Sequence, residues 1–135
     1  MGSPFFTTWR EGATYTVTLI RTSKRMVRPA DAETGFAMAN KLLGPHADRK
    51  GWKLLIDLRG APSVQLDPLV EAAMTRIRRG IYAGFERITY LVGDERRRHQ
   101  VERLTRGDDD YRVFDNELHA RAYLSARVAC CASPD

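Results

Sequence analysis

The chain has 135 residues, enough for one domain whose core needs no metal or disulfide, since a chain of this length buries about two-thirds of its unfolded surface. Its 43% hydrophobic and 29% charged residues are ordinary for a globular protein, and no apolar run approaches the ~20 residues that span a bilayer, so membrane insertion is not expected. The net charge of +5, with a pI of about 9.6, comes mainly from arginine and suits an acidic protein surface, nucleic acid or plain solubility.

The start, Met1 to Phe6, lacks the basic stretch and apolar run of a secretory signal, and Phe6 stands where myristoylation needs Ser or Thr. Residues 1–12 read as an extension, 13–127 as the domain and 128–135 as a flexible tail. From Thr14 to Arg21 the chain alternates: Tyr15, Val17 and Leu19 point one way and Thr14, Thr16 and Thr18 the other, the pattern of a half-buried strand near a sheet edge. A short second strand is expected over Lys24 to Arg28, stopped by Pro29. Asp31 is placed to cap a helix whose stripe is Ala32, Phe36, Ala39 and Leu43 and whose end is Gly44-Pro45.

Trp52 to Leu58 is an almost continuous apolar run, the signature of a central strand covered on both faces. Asp67-Pro68 then marks a helix start, followed by Val70, Ala73, Met74, Ile77 and Ile81 at core spacing. Arg87 to Val92 is the next strand, and Gly93-Asp94 opens a third helix with a thin stripe of Val101 and Leu104. Tyr111 to Phe114 is a last short strand, and Asp115 or Asn116 caps a final helix carrying Leu118, Ala122 and Tyr123. The order is ββαβαβαβα, an α/β domain with a mixed, mostly parallel sheet and helices packed against it.

Dinucleotide, Walker and zinc-protease motifs are absent, His46, His99 and His119 are scattered, and Cys130 and Cys131 are adjacent in the tail. No cofactor, metal site or catalytic set is expected. Asp57 ends the central strand, where α/β sheets place ligands. A phosphate-accepting aspartate there would need acidic residues after the first strand and a lysine after the last, and the chain has Arg21-Thr22 and Asp115 instead. Asp57 is therefore expected to pair with Arg59 or accept backbone hydrogen bonds.

Three stretches, Leu54-Leu-Ile-Asp-Leu58, Gly84-Phe-Glu-Arg-Ile-Thr-Tyr-Leu91 and Arg112-Val-Phe-Asp-Asn-Glu-Leu-His-Ala-Arg-Ala-Tyr-Leu124, resemble the STAS or SpoIIAA-like family of anti-sigma-factor antagonists. The resemblance implies a cytoplasmic, non-catalytic module of a bacterial signalling pathway that binds another protein. It also implies a switch, since well-known members are phosphorylated on a serine in an Asp-Ser-Ser-Gly turn before the helix that follows the central strand. Here that stretch is Ser63-Val-Gln-Leu-Asp-Pro68, with no Ser-Ser pair and with Asp67 nearest the switch position. Ser63 and Asp57 remain candidate switch or pocket residues, and Asp67 reads as a fixed charge or a plain cap.

The densest charge runs from Asp94 to His99 and on through Arg103 and Arg106, and with Arg76, Arg78, Arg79 and Arg87 it is expected to form one basic patch. The candidate partner-binding residues are Asp67, Arg76, Arg79, Arg97 and Arg98. The competing reading is a solvated helix laced by Asp94–Arg98 and Glu102–Arg106 pairs. Two further functions stay open: a small-molecule or lipid carrier with a pocket lined by Phe36, Met38, Met74 and Tyr82, and, as a lesser alternative, nucleic-acid binding, which lacks interleaved aromatics. The oligomeric state is left open.

Overall fold

Two neighbouring strands open the chain, the first defined by its pairing and the second by the alternation of Val17 and Leu19. A computed structural model describes residues 4–64, 67–106 and 111–126. Strand β1 is Phe6–Glu11 and strand β2 is Thr16–Arg21, paired antiparallel with Phe6 opposite Arg21 and Arg10 opposite Val17. This corrects two expectations. Residues 1–12 are not simply an extension, because Phe5 and Phe6 are buried in the core and β1 is the edge of the sheet. Residues 24–28 form no strand, because only Met26 among them is buried and Pro29 starts a helix. β2 is consequently an interior strand, with Val17 and Leu19 fully buried as the alternation requires. A 3-10 turn at Gly12–Thr14 joins the two strands, and Tyr15 after it adopts φ 50° with its ring edge-on to Trp52 at 5.5 Å.

The remaining strands are β3 (Lys53–Asp57), β4 (Arg87–Leu91) and β5 (Tyr111–Phe114), all parallel to β2, and the spatial order is β1-β2-β3-β4-β5. The helices are α1 (Pro29–Leu43), α2 (Pro68–Ile81), α3 (Glu95–Leu104) and α4 (Glu117–Ser125). Each parallel strand is added beside its predecessor in one direction, so right-handed crossovers put α1, α2 and α3 on a single face. The burial pattern agrees. Leu54 and Ile56 of β3 pack with Ala32, Phe36, Val70, Ala73 and Val101 in one cluster, whereas Leu55 and Leu91 pack with Ala120 and Leu124 of α4 in another. Helix α4 is not a crossover and is free to cover the second face.

Side chains fix the helix starts. The Asp67 carboxylate accepts from the Leu69 and Val70 amides at 3.0 and 3.4 Å, Asp94 from Arg97 N at 2.8 Å, and Asn116 from His119 N at 3.1 Å. Asp31 lies within the first turn of α1 and reaches back to the amides of Val27 and Arg28 at 2.8 and 3.0 Å. In α4 the buried positions are Ala120 and Leu124, while Leu118 is 78% exposed, against expectation. With Asn116 as cap, Ala120 and Leu124 lie four apart on the inner face, and Leu118 falls outside it.

One buried cation holds the helical face together. Arg49 is 1% exposed, yet every guanidinium nitrogen donates: Nε and Nη2 to Gly44 O at 3.1 and 2.8 Å, Nη1 to Ile81 O and Ala83 O at 2.5 and 2.8 Å, and Nη2 also to Asn40 Oδ1 at 3.1 Å. The ends of α1 and α2 are tied to one group, whose positive charge suits the negative ends of both helix dipoles. Gly84, at φ 98°, makes room for it, since a Cβ there would sit 3.2 Å from His46 O and 3.4 Å from Arg49 Cβ. Arg49→Met should lower the unfolding free energy by about 3 kcal/mol or more, because several buried carbonyls lose their donor together. Urea denaturation measures this, and Arg49→Lys should recover little of the loss, since an ammonium lacks the planar fork.

Candidate functional site

The C-terminal ends of β2, β3 and β4 and the starts of α2 and α3 meet at one end of the domain, the end at which open α/β sheets bind ligands. Arg21, the last residue of β2, follows Val17 and Leu19 at intervals of two and so points to the side of α1 to α3. It is 8% exposed. Its Nη1 donates to Thr22 O at 2.9 Å and Phe5 O at 3.3 Å, and its plane lies over the rings of Phe5 and Phe6 at 5.4 and 5.7 Å. Arg97 enters from the first turns of α3 and donates to Gln100 Oε1 at 2.5 Å and to the carbonyl of Pro62. Arg25 reaches across from the loop after β2 to Ser63 O at 3.3 Å.

These side chains wall two adjoining cavities of about 50 and 40 Å³, which share Arg21, Met26, Met74, Arg97 and Gln100 as lining. The deeper one is also lined by Phe36 and Tyr82, so three of the four residues expected to line a pocket do so, and Met38 does not. The outer one lies under Pro62, Ser63 and Val64 and is bordered by Asp67. Burial, with a further push from Arg97 and a weaker opposing pull from Tyr82, lowers the Arg21 pKa to about 10. Arg97 is also lowered, chiefly by burial, with Asp94 opposing and Arg25 adding to the shift. Burial and Tyr90 hold the Tyr82 hydroxyl well above its usual pKa, although Arg78 and Arg21 pull it the other way. Among the described residues no carboxylate lies within ion-pair distance of Arg21 or Arg97.

The expected site residues fall in different places. The Asp67 carboxylate is engaged as the α2 cap, and Ser63 is exposed above the outer cavity. Asp57 belongs to the opposite face of the sheet, since Leu55 and Asp57 alternate with Leu54 and Ile56. There Arg59 grips it, with Nε to Oδ1 at 3.1 Å and Nη2 to Oδ2 at 2.9 Å, and extends to Glu117 at 3.0 Å. Burial pushes the Asp57 pKa up, but the hydrogen bonds and charge of Arg59 together outweigh it and leave the carboxyl below its ordinary value.

Several of the basic residues are engaged within the chain. Arg76 pairs with Glu33 at 3.4 Å, and Arg103 pairs with Glu71 at 2.9 Å. Arg98 donates to Val113 O at 3.3 Å and lies 3.6 Å from Glu95. Arg78 is buried and donates to Leu104 O at 3.1 Å through Nε. Arg87 is on the α4 side, where it donates to Tyr123 O. Asp94 serves as a cap and forms no ion pair with Arg98. The Arg79 side chain, Cys130 and Cys131 lie outside the described residues, and among those described no group of His, Cys, Asp and Glu could hold a metal ion. Arg21, Arg25 and Gln100 line the cavities but were not among the candidate site residues. Only Arg21 carried a signal, its place in the inward alternation of β2.

No family model and no curated protein matches the chain. Among solved structures, an uncharacterized protein of the DUF3478 family from Shewanella loihica PV-4, described as having a SpoIIAA-like fold, aligns over 92% of this chain and 98% of its own. The TM-score is 0.59 and the identity 13%. The fold of this chain is SpoIIAA-like, as its sequence resemblance implies. No helix among the described residues is long and apolar enough to cross a membrane.

The Asp57–Arg59 contact predicts a pH signature. A carboxyl whose folded pKa is depressed stabilises the fold above its unfolded pKa of about 3.9, and that stability is lost as pH falls through the folded value. Asp57→Asn should therefore cost on the order of 1 kcal/mol at neutral pH. In urea unfolding the gap from the unaltered chain should shrink on acidification below the ordinary carboxylate pKa, because Asn does not titrate.

Proposed function

We propose that this chain is a non-catalytic regulatory module that acts by binding another protein at the end of the sheet where α2 and α3 begin. The observation that carries the reading is the first turn of α2. Its cap is fixed by Asp67, and Leu69 stands 71% exposed in the turn that follows. An apolar side chain held out on a capped, rigid turn suits recognition, since it gains by losing its water in a contact. Val27, also exposed, follows the neighbouring strand β2 and stands at the same end of the sheet. The likeness of fold to SpoIIAA supports a signalling context by analogy only.

The small-molecule reading is favoured by one specific observation, the cavity below this rim. At about 50 Å³ it has room for only about four waters, so a long acyl chain enters only if the helices part. The nucleic-acid reading has less support, because Arg76, Arg97, Arg98 and Arg103 are all engaged within the chain.

A pull-down of the tagged chain from its own host, read by mass spectrometry, tests the proposal. The expected result is one recurrent protein retained at about 150 mM salt and lost with Leu69→Asp. Asp67→Asn keeps a capping side chain and removes the charge, so it should weaken capture without lowering the unfolding midpoint. Equal capture by Leu69→Asp and the unaltered chain, or recovery of nucleic acid alone with a steep salt dependence, would refute it.

A further inference from the structure

We infer that the deeper cavity is a binding site for a small organic carboxylate, its charged end held by Arg21 and Arg97 and its short apolar body resting against Phe36 and Met74. The argument begins with a contrast between two buried guanidinium groups. Arg49 is buried with all three nitrogens donating to protein oxygens. Arg21 is nearly as buried, but only its Nη1 donates, and among the described residues Nε and Nη2 have no protein acceptor. Arg97 likewise uses Nη1 and Nη2 and leaves Nε without one. Both line the same cavity. A cation taken out of water without a counter-charge is costly, and an anion between these two groups removes that cost.

The neighbouring carboxylates do not serve this purpose. Glu71 is held by Arg103 at 2.9 and 3.0 Å, with Gln100 Nε2 at 3.4 Å. Asp94 and Asp67 are engaged by the amides they cap, and Asp67 borders the outer cavity only. Burial of Arg21 and Arg97 lowers the pKa of each, the direction that an anion bound between them would reverse.

Size and lining choose among anions. The space of about 50 Å³ admits a handful of heavy atoms. Its floor is carbon, from Phe36, Ile56 and Met74 among others. A free phosphate has more acceptor sites than the open N–H groups here can satisfy, whereas a carboxylate matches the fork of a guanidinium and brings an apolar tail to the floor. This inference adds a ligand to the binding role proposed above but stands on the cavity alone, so a failed pull-down would leave it intact.

The test is an NMR titration of the full chain, at constant ionic strength, with sodium butyrate, sodium phosphate and 1-butanol as separate probes. Butyrate should give saturable shifts at the amides of Arg21, Ser63, Arg97 and Gln100, with a dissociation constant of about 1 mM or below. Arg97→Gln should weaken it by about tenfold or more. Met74→Trp, which fills the space from the helix side, should abolish it while the unfolding midpoint shows the variant folded. Absence of saturable butyrate shifts at about 50 mM would overturn the inference, as would unchanged binding by both variants. Tighter binding of phosphate would overturn the carboxylate assignment, and equal binding of butanol would overturn the role given to the guanidinium groups.

Discussion

The joining of α1 to α2 depends on one buried guanidinium. Arg49 meets the last carbonyls of α1 and α2, where each helix leaves acceptors without partners, and it satisfies both sets from one position. Among the described residues no carboxylate forms an ion pair with it. Its charge is balanced by carbonyl dipoles, and its face is covered by the ring of Phe85 at 5.1 Å. The cavity lined by Phe36 of α1, Met74 of α2 and Ile56 of β3 lies between these same two helices and the sheet.

The second organising constraint is the two-residue period of β3. Ile56 and Leu58 look into the cavity, while Asp57 between them looks the other way and is gripped by Arg59. A carboxylate at the favoured end of a central strand is thereby separated from the arginines that stand only one sheet thickness away. The α4 side has its own charged lattice, in which Arg121 bridges Glu117 and Glu11 at 2.8 Å each and so fastens the last helix to the edge strand β1. Each face has its own electrostatics, and neither neutralises the other.

Much of the fold was legible because its signals are local. Asp67-Pro68, Asp94 and Asn116 announce helix starts through the chemistry of capping, and the runs at Lys53–Asp57 and Arg87–Leu91 announce covered strands. Strand β1 was harder to see. Phe6, Thr8 and Arg10 share a face, but only the first is apolar, and the strand is defined mainly by its pairing with β2. The candidate site was less legible still. Arginine reads as surface charge in a sequence, yet its long stem lets the head group reach carbonyls more than 30 residues away, as Arg49 does to Ile81 and Arg97 to Pro62. No periodicity reports such a reach. Several of the arginines counted toward a basic patch are engaged within the chain in the same way.

The simple strand order bears on how the chain can be made. Every strand after the first has a single earlier neighbour, already synthesised, so a chain leaving a ribosome can lay down the sheet one strand at a time without reopening a finished pair. Until α4 arrives, however, the face carrying Leu55 and Leu91 has no cover. A nascent chain that stalls before residue 117 therefore holds a nearly complete sheet with one greasy side bare and a fresh edge strand beside it, the combination that invites aggregation. The nine residues of the last helix complete both the second core and the solubility of everything translated before them.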